Sequence, residues 1–239
     1  MTRLLLLLLL STSVFAQKKS KKDYLITIET SKGTMYAVLF DDTPKHKANF
    51  LKLTESGFYQ DLLFHRIVNE FMIQGGDPDS KNARKGARLG AGGSNLPKVP
   101  YEFTTRHVHT KGALAAARTN NPQKESSGCQ FYIVTGKKYQ EQQLKAIEAR
   151  QVSGNTPRIE LEYTPEQYRA YQTIGGTPFL DNNYTVFGEI IQGIEVAETI
   201  EKMETDGAER PLEDVKMNIS AKRMSKKKIS KLYGYAYAE

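Results

Sequence analysis

Phe64-His65-Arg66-Ile67-Val68-Asn69-Glu70-Phe71-Met72-Ile73-Gln74-Gly75-Gly76-Asp77-Pro78 is an apolar run broken by one arginine and closed by a glycine turn. It reads as a strand to Val68, a bend at Asn69-Glu70 and a second strand over Phe71 to Gln74. A guanidinium cannot shed its charge and is costly to bury without a partner. Two readings of Arg66 therefore stand at this point. Its stem lies along a sheet while its head meets solvent or a structural carboxylate, or it is an active-site cation beside an apolar pocket.

On either side, the pattern is mostly short strands. Tyr24 to Glu29 alternates apolar and polar, Thr30-Ser31-Lys32-Gly33 reads as a tight turn, and Thr34 to Phe40 returns. Thr43-Pro44 looks like an N-cap and first helical position, with Ala48, Phe50, Leu51 and Leu53 on the apolar face and Gly57 as the stop. Residues 79–100 are rich in Gly, Asn, Lys and Pro and read as a long loop. Gly90-Ala91-Gly92-Gly93 has no strand entering or helix leaving it, so it does not read as a phosphate loop. Tyr101-Glu102-Phe103 suggests a short strand. His107 and His109 lack further close ligands, so they read as loop or strand-edge histidines and not as a metal site.

Gly112 to Ala117 is dense in small side chains, which keep a sheet surface low enough for a ligand backbone to approach. Cys129 to Val134 is a strand, and Cys129 reads as a small buried hydrophobe. Residues 137–176 change character. They are charged and helix-prone over 140–150, with a second helix start at Thr164-Pro165 and a Gly175-Gly176 stop, and read as a helical excursion on the surface. Tyr184 to Ile191 resumes the strands, Ile194 to Met203 is a short helix, and residues 211–219 close the body. Many short antiparallel strands with two helices among them suggest a closed β-barrel whose ends the helices plug.

The ends differ from the body. Met1-Thr2-Arg3, seven leucines and Ser11 to Ala16 form a basic, apolar, small-residue series that reads as a signal peptide cut after Ala16, leaving 223 of 239 residues. Of the 34 basic residues, five lie in 1–22 and six in 222–239, leaving 23 against 26 acidic ones between. The body is thus mildly acidic, and the net charge of +7 is no argument for nucleic acid. Residues 17–22 read as a basic linker, 23–221 as one domain, and 222–239 as a solvated basic tail able at most to touch an anionic surface weakly. One cysteine excludes an internal disulfide framework. Asn183-Tyr184-Thr185 and Asn218-Ile219-Ser220 match the glycosylation acceptor pattern, which is frequent by chance.

Four segments, in order, resemble the cyclophilin peptidyl-prolyl isomerases: the opening stretch, Gly112 to Ala117, Ser127 to Ile133, and Leu180 to Gly188. The resemblance spans about 24–136 and 177–219. It implies a mainly β fold, a closed eight-stranded antiparallel barrel capped by two helices, carrying the helical insertion 137–176. It implies Arg66 as the catalytic arginine, with Gln74 as a polar positioner that orients Arg66 or bonds the moving carbonyl. Phe71, Met72, Tyr132 and Leu180 would line the proline pocket. Gln130 would position the substrate, and Ala117 and the backbone of Arg118 would flank it. Phe179, Arg118 and Tyr184 stand where the familiar eukaryotic form has tryptophan, asparagine and histidine. The loss of the indole N–H weakens the case for cyclosporin binding.

The expected activity is rotation of X–Pro bonds in unfolded, exported polypeptides, by a monomer, with neither cofactor nor metal. The other reading is a proline-peptide binding module or envelope chaperone whose catalysis is incidental. Location would be periplasmic or secreted.

Overall fold

The computed structural model describes residues 20–154 and 161–237; the expected signal peptide and the first half of the linker lie outside them. Eight strands, β1 (Lys22–Thr30), β2 (Gly33–Leu39), β3 (Leu62–Val68), β4 (Met72–Gly75), β5 (Ala113–Ala116), β6 (Phe131–Val134), β7 (Val186–Gln192) and β8 (Lys216–Ser225), close into an antiparallel barrel. Their order around it is β1-β2-β7-β5-β6-β4-β3-β8. Closure leaves no free edge for another chain to extend.

Period-2 alternation divides the barrel wall. Ile26, Ile28, Met35, Ala37, Phe64, Ile67, Ile73, Leu114, Phe131, Ile133 and Phe187 fill the interior. Met72, Ala113, Ala115, Tyr132, Val134 and Val186 form a separate apolar cluster on the outer wall. Helices α1 (Pro44–Glu55) and α4 (Ile194–Ile200) plug the interior with Phe50 and with Val196, Ala197 and Ile200. Phe131 meets Phe50, Tyr59 and Phe64 edge-on, at ring separations of 5.5, 5.6 and 6.3 Å. That arrangement suits the aromatic quadrupole.

Two local expectations are corrected. Thr43 precedes α1 but makes no side-chain cap; its hydroxyl donates to the Phe40 carbonyl at 3.3 Å. The first turn is capped by Glu102, whose carboxylate accepts from the N–H groups of Lys45 and His46 at 3.0 and 2.9 Å and lies 2.7 Å from His46 Nδ1. An anion at a helix N-terminus satisfies orphan donors and suits the dipole. Residues 101–103 are consequently not a strand. They bring a carboxylate to a helix distant in sequence.

The basic tail is also corrected. β8 runs on to Ser225, and α5 (Lys226–Tyr233) follows with Ser225 accepting from Lys228 N–H at 3.2 Å. Met224 and Ile229 are buried with Leu25 and Val38, Tyr233 packs on Tyr36, and Lys226 reaches Asp41 at 2.8 Å. The charges in this segment masked a three-residue apolar anchor. β1 likewise begins at Lys22, inside the expected linker.

The insertion forms α2 (Glu141–Gly154) and α3 (Pro165–Thr173). Its ends meet in a bridge between Lys137 and Gly176. Thr164 and Gln167 make a reciprocal capping box at the expected helix start. The excursion is not bare, however: Leu144, Leu161, Tyr163 and Tyr171 are buried in a cluster with Val108.

A bulge in β3 interrupts the alternation. Phe64 pairs with Gly75 and Arg66 with Gln74, so His65 is the extra residue. Bulges re-aim side chains. Here Phe64 and Ile67 both face the core while Arg66 turns outward. His65 is 4% exposed, and neither ring nitrogen makes a well-formed hydrogen bond among the described residues. Burial lowers its pKa from 6.5 to about 4, outweighing the attraction of Asp77 and the nearby Leu63 main chain. The ring is therefore folded in its neutral form. Its contribution is complete above pH 6.5 and is lost as pH falls toward 4. Urea unfolding at pH 7.5 and pH 4.5 should show the parent losing about 2–3 kcal/mol more than His65→Leu over that interval.

Candidate functional site

The bulge sets up a row of side chains across four strands. Arg66 on β3 stands opposite Gln74 on β4, Gln74 opposite Tyr132 on β6, and Tyr132 opposite Ala115 on β5. All lie on the outer wall, because each occupies the outward phase of its strand. Ala115 adds no bulk, which leaves a hollow where the apolar cluster meets the arginine.

The Arg66 side chain is 37% exposed, and its Nε donates to Glu209 Oε2 at 2.6 Å. Its guanidinium carbon lies 5.9 Å from the centre of the Phe71 ring. Among the described residues, none takes a hydrogen bond from either terminal nitrogen. One edge of the guanidinium is thus clamped and the other is open. The clamp comes from Glu209, in a left-handed backbone conformation at φ 64°, just ahead of the last strand. Nothing in the sequence around Glu209 marks it, since the pairing spans 143 residues.

The orienting role expected of Gln74 is corrected accordingly. Its Nε2 donates to Gln130 Oε1 at 3.0 Å. Gln130 in turn donates to the Gly90 and Gly92 carbonyls, each at 3.0 Å. The two glutamines therefore fasten the long 79–100 loop to the sheet. Gly76 is the tight point of this arrangement: it has φ 91°, and a Cβ there would stand 2.3 Å from the Cys129 carbonyl oxygen.

A cavity of about 140 Å³ is lined by Arg66, Phe71, Met72, Gln74, Ala117, Arg118, Tyr132, Leu180 and Tyr184. It has the size for one small ring with an apolar floor and a cation at its lip. Arg118 lies over the Tyr184 ring at 4.8 Å and donates from Nε to the Asn183 carbonyl at 2.9 Å. Its main-chain N–H and C=O have no partner among the described residues. A free donor–acceptor pair beside a hollow is suited to an extended peptide backbone. Phe179 does not line the cavity. It sits at the rim, 48% exposed, with its ring 5.7 Å from that of Phe71. Gln130 lines a neighbouring hollow of about 330 Å³, which shares Gln74, Ala117 and Arg118 with the first.

The cavity floor has a polar root. Tyr132 is 4% exposed, and its hydroxyl lies 2.9 Å from His109 Nε2. His109 Nδ1 lies 2.6 Å from Asp181 Oδ1, which also accepts from the His109 main-chain N–H at 2.8 Å. His109 is 1% exposed and so is not an ordinary strand-edge histidine. His107 is the simpler of the two, bonded to Asp42 at 2.7 Å and stacked on Phe40. Asp181 falls within the Leu180 to Gly188 segment, but nothing local marks it as the partner of His109, 72 residues away.

A family model described as cyclophilin type peptidyl-prolyl cis-trans isomerase/CLD matches residues 25–221. A Streptococcus pyogenes protein named as a bifunctional phosphatase/peptidyl-prolyl cis-trans isomerase is 37% identical over 197 residues, 80% of this chain. The chain spans 37% of that longer protein, and the phosphatase in the name is that protein's. A Staphylococcus saprophyticus protein named as a peptidyl-prolyl cis-trans isomerase is 32% identical over 193 residues, 80% of this chain and 87% of its own length. A crystal structure of a cyclophilin type isomerase from Cryptosporidium parvum, obtained with the dipeptide Ala-Pro, matches with a TM-score of 0.57 at 23% identity. That match covers 83% of this chain and 98% of the other.

Cys129 lies behind the site, 3% exposed, with its thiol pKa pushed up to about 11 chiefly by burial. A thiol so placed is not a nucleophile. At pH 8 the native protein should leave Cys129 unmodified by an aromatic disulfide reagent, and one equivalent should react once urea unfolds the chain.

Proposed function

The chain belongs to the cyclophilin-type peptidyl-prolyl cis-trans isomerases, and from that premise we propose that Arg66 and the hollow beside it carry out the isomerisation. An X–Pro amide resists rotation because its C–N bond has partial double-bond character, with a barrier of about 18–20 kcal/mol. No bond must break. The site has only to favour the twisted amide over both planar forms. On twisting, the proline nitrogen becomes pyramidal and recovers a lone pair that the planar amide lacks. Arg66 offers its unclamped terminal N–H groups to that lone pair, so the new hydrogen bond exists only near the transition state. Phe71, Met72, Tyr132 and Leu180 hold the pyrrolidine ring still. The Arg118 main chain, with Ala117 beside it, holds the flanking peptide while the residue before proline swings. Gln74 and Gln130 keep the loop and sheet in register around the bound chain.

The observation that carries this reading is the half-clamped guanidinium at the lip of an apolar cavity. Glu209 holds one edge of the guanidinium, as a structural partner would, and the terminal nitrogens are left to face the cavity. Each tenfold acceleration corresponds to about 1.4 kcal/mol, so one charged hydrogen bond made only in the twisted state is worth roughly a hundredfold. In a proline-limited refolding assay, Arg66→Ala should lower kcat/KM about 100-fold or more with unchanged far-ultraviolet dichroism. Glu209→Gln should lower it only about 2- to 5-fold, because an exposed ion pair contributes about 1 kcal/mol or less to orientation. Full activity in Arg66→Ala would overturn the assignment.

The substrates in this reading are unfolded polypeptides delivered across a membrane. The support is the leader-like series Met1 to Ala16. Expression in an exporting bacterium should yield processed protein whose amino terminus is Gln17, and retention of Met1 would count against export.

A further inference from the structure

The insertion is wired to the floor of the candidate proline pocket. Asp181 is 2% exposed and accepts four hydrogen bonds. Two reach Oδ1, from the His109 main chain and ring. Two reach Oδ2, from the Tyr163 hydroxyl at 2.7 Å and the Tyr171 hydroxyl at 2.6 Å. Tyr163 and Tyr171 both belong to the insertion, whereas His109, Tyr132 and Asp181 belong to the barrel and its loops. A carboxylate has about four acceptor positions, so this one is saturated. Burial and the Asp181 charge hold both phenols protonated, keeping them donors.

The chain of partners fixes a direction. Facing a carboxylate, His109 Nδ1 carries its proton. Nε2 then faces the Tyr132 hydroxyl at 2.9 Å and holds it by a hydrogen bond. The ring of Tyr132 is the pocket floor, and its hydroxyl is pulled away from the cavity into the protein. The same carboxylate sits directly after the turn Pro178–Leu180, which supplies Leu180 to the wall. Tyr163 reaches the Pro178 carbonyl as well, at 3.3 Å. One insertion tyrosine therefore touches both the floor's anchor and the wall's turn.

We propose that Tyr163 and Tyr171 are positioning residues for the isomerase, setting the proline pocket through Asp181, His109 and Tyr132, and that the insertion serves to fix substrate affinity. This rests on the assignment of the apolar cavity as the proline site. A pocket floor touches the pyrrolidine ring in ground and transition states alike, so loosening it weakens both equally and raises KM while sparing kcat. Removing two donors while keeping the rings isolates the wiring from the packing.

The test compares the full chain with Tyr163→Phe plus Tyr171→Phe, in the parent and in a Tyr132→Phe background, using a short Ala-Pro peptide. In the parent, KM should rise about 3- to 10-fold with kcat held within about twofold. In the Tyr132→Phe background the same pair should change KM less than about twofold, because the residue they act through has lost its hydroxyl. A merely structural role would lower the melting temperature without this coupling. Glu141→Gln, which removes an exposed ion pair on α2, should change neither constant. An unchanged KM, or an equal rise in both backgrounds, overturns the proposal. If the double variant does not fold, Tyr163→Phe alone must still raise KM, and failure to do so overturns it. Phe71→Ala separates the two assignments. A raised KM there with no effect of the tyrosines removes only the wiring, whereas an unchanged KM removes the pocket assignment itself.

Discussion

A closed antiparallel barrel offers each strand residue one of two faces, and the interior of this one is occupied by apolar side chains. Everything functional must therefore stand on the outside, in the outward phase of a strand. The extra residue at His65 makes that possible for Arg66 while Phe64 and Ile67 remain in the core. It costs a buried imidazole without good partners, an expense of about 1–3 kcal/mol by ordinary measure. Strain and unsatisfied polarity next to a reactive side chain are where folds commonly depart from regular pairing.

Around the arginine, the protein divides labour between short-range and long-range contacts. The apolar floor comes from neighbouring positions on β4, β5 and β6, which regular sheet registration assembles, and the walls add Phe71 from the β3–β4 turn and Leu180 from the turn Pro178–Leu180. The polar groups that orient this set come from far away: Glu209 for Arg66, and Asp181 with His109 for Tyr132. Glu102 does the same for α1. Each is a carboxylate delivered by a loop, and Asp181, with four hydrogen bonds, is saturated in a way the exposed Arg66–Glu209 pair is not.

The elements outside the family-matched span or inserted within it are integrated, not appended. α5 is pinned by Ile229 against the outer wall between β1 and β2. The insertion returns to its own starting point through the Lys137–Gly176 bridge and sends two hydroxyls inward. Composition alone made both segments look solvated, because few apolar residues among many charges suffice to anchor a short element when they fall on one face.

The sequence by itself marked most of the strands and a closed barrel, and its resemblance to a family supplied the candidate pocket residues. Period-2 alternation, small residues at Gly112 to Ala117 and ordered motifs are local signals, and local signals survive in one dimension. Phe71, Met72, Gln74, Ala117, Arg118, Tyr132, Leu180 and Tyr184 stand with Arg66 around one cavity, whereas Phe179 lies outside it and Gln130 lines the neighbouring hollow. Only the tertiary structure decided which group clamps Arg66, what Gln74 bonds, and that His109 is buried beneath the floor. Those are pairings across 143, 56 and 72 residues, and an isolated carboxylate or amide carries no mark of a partner so distant. The same reason explains the tail and the insertion: their anchors are a few scattered residues whose burial depends on a surface the barrel must first create.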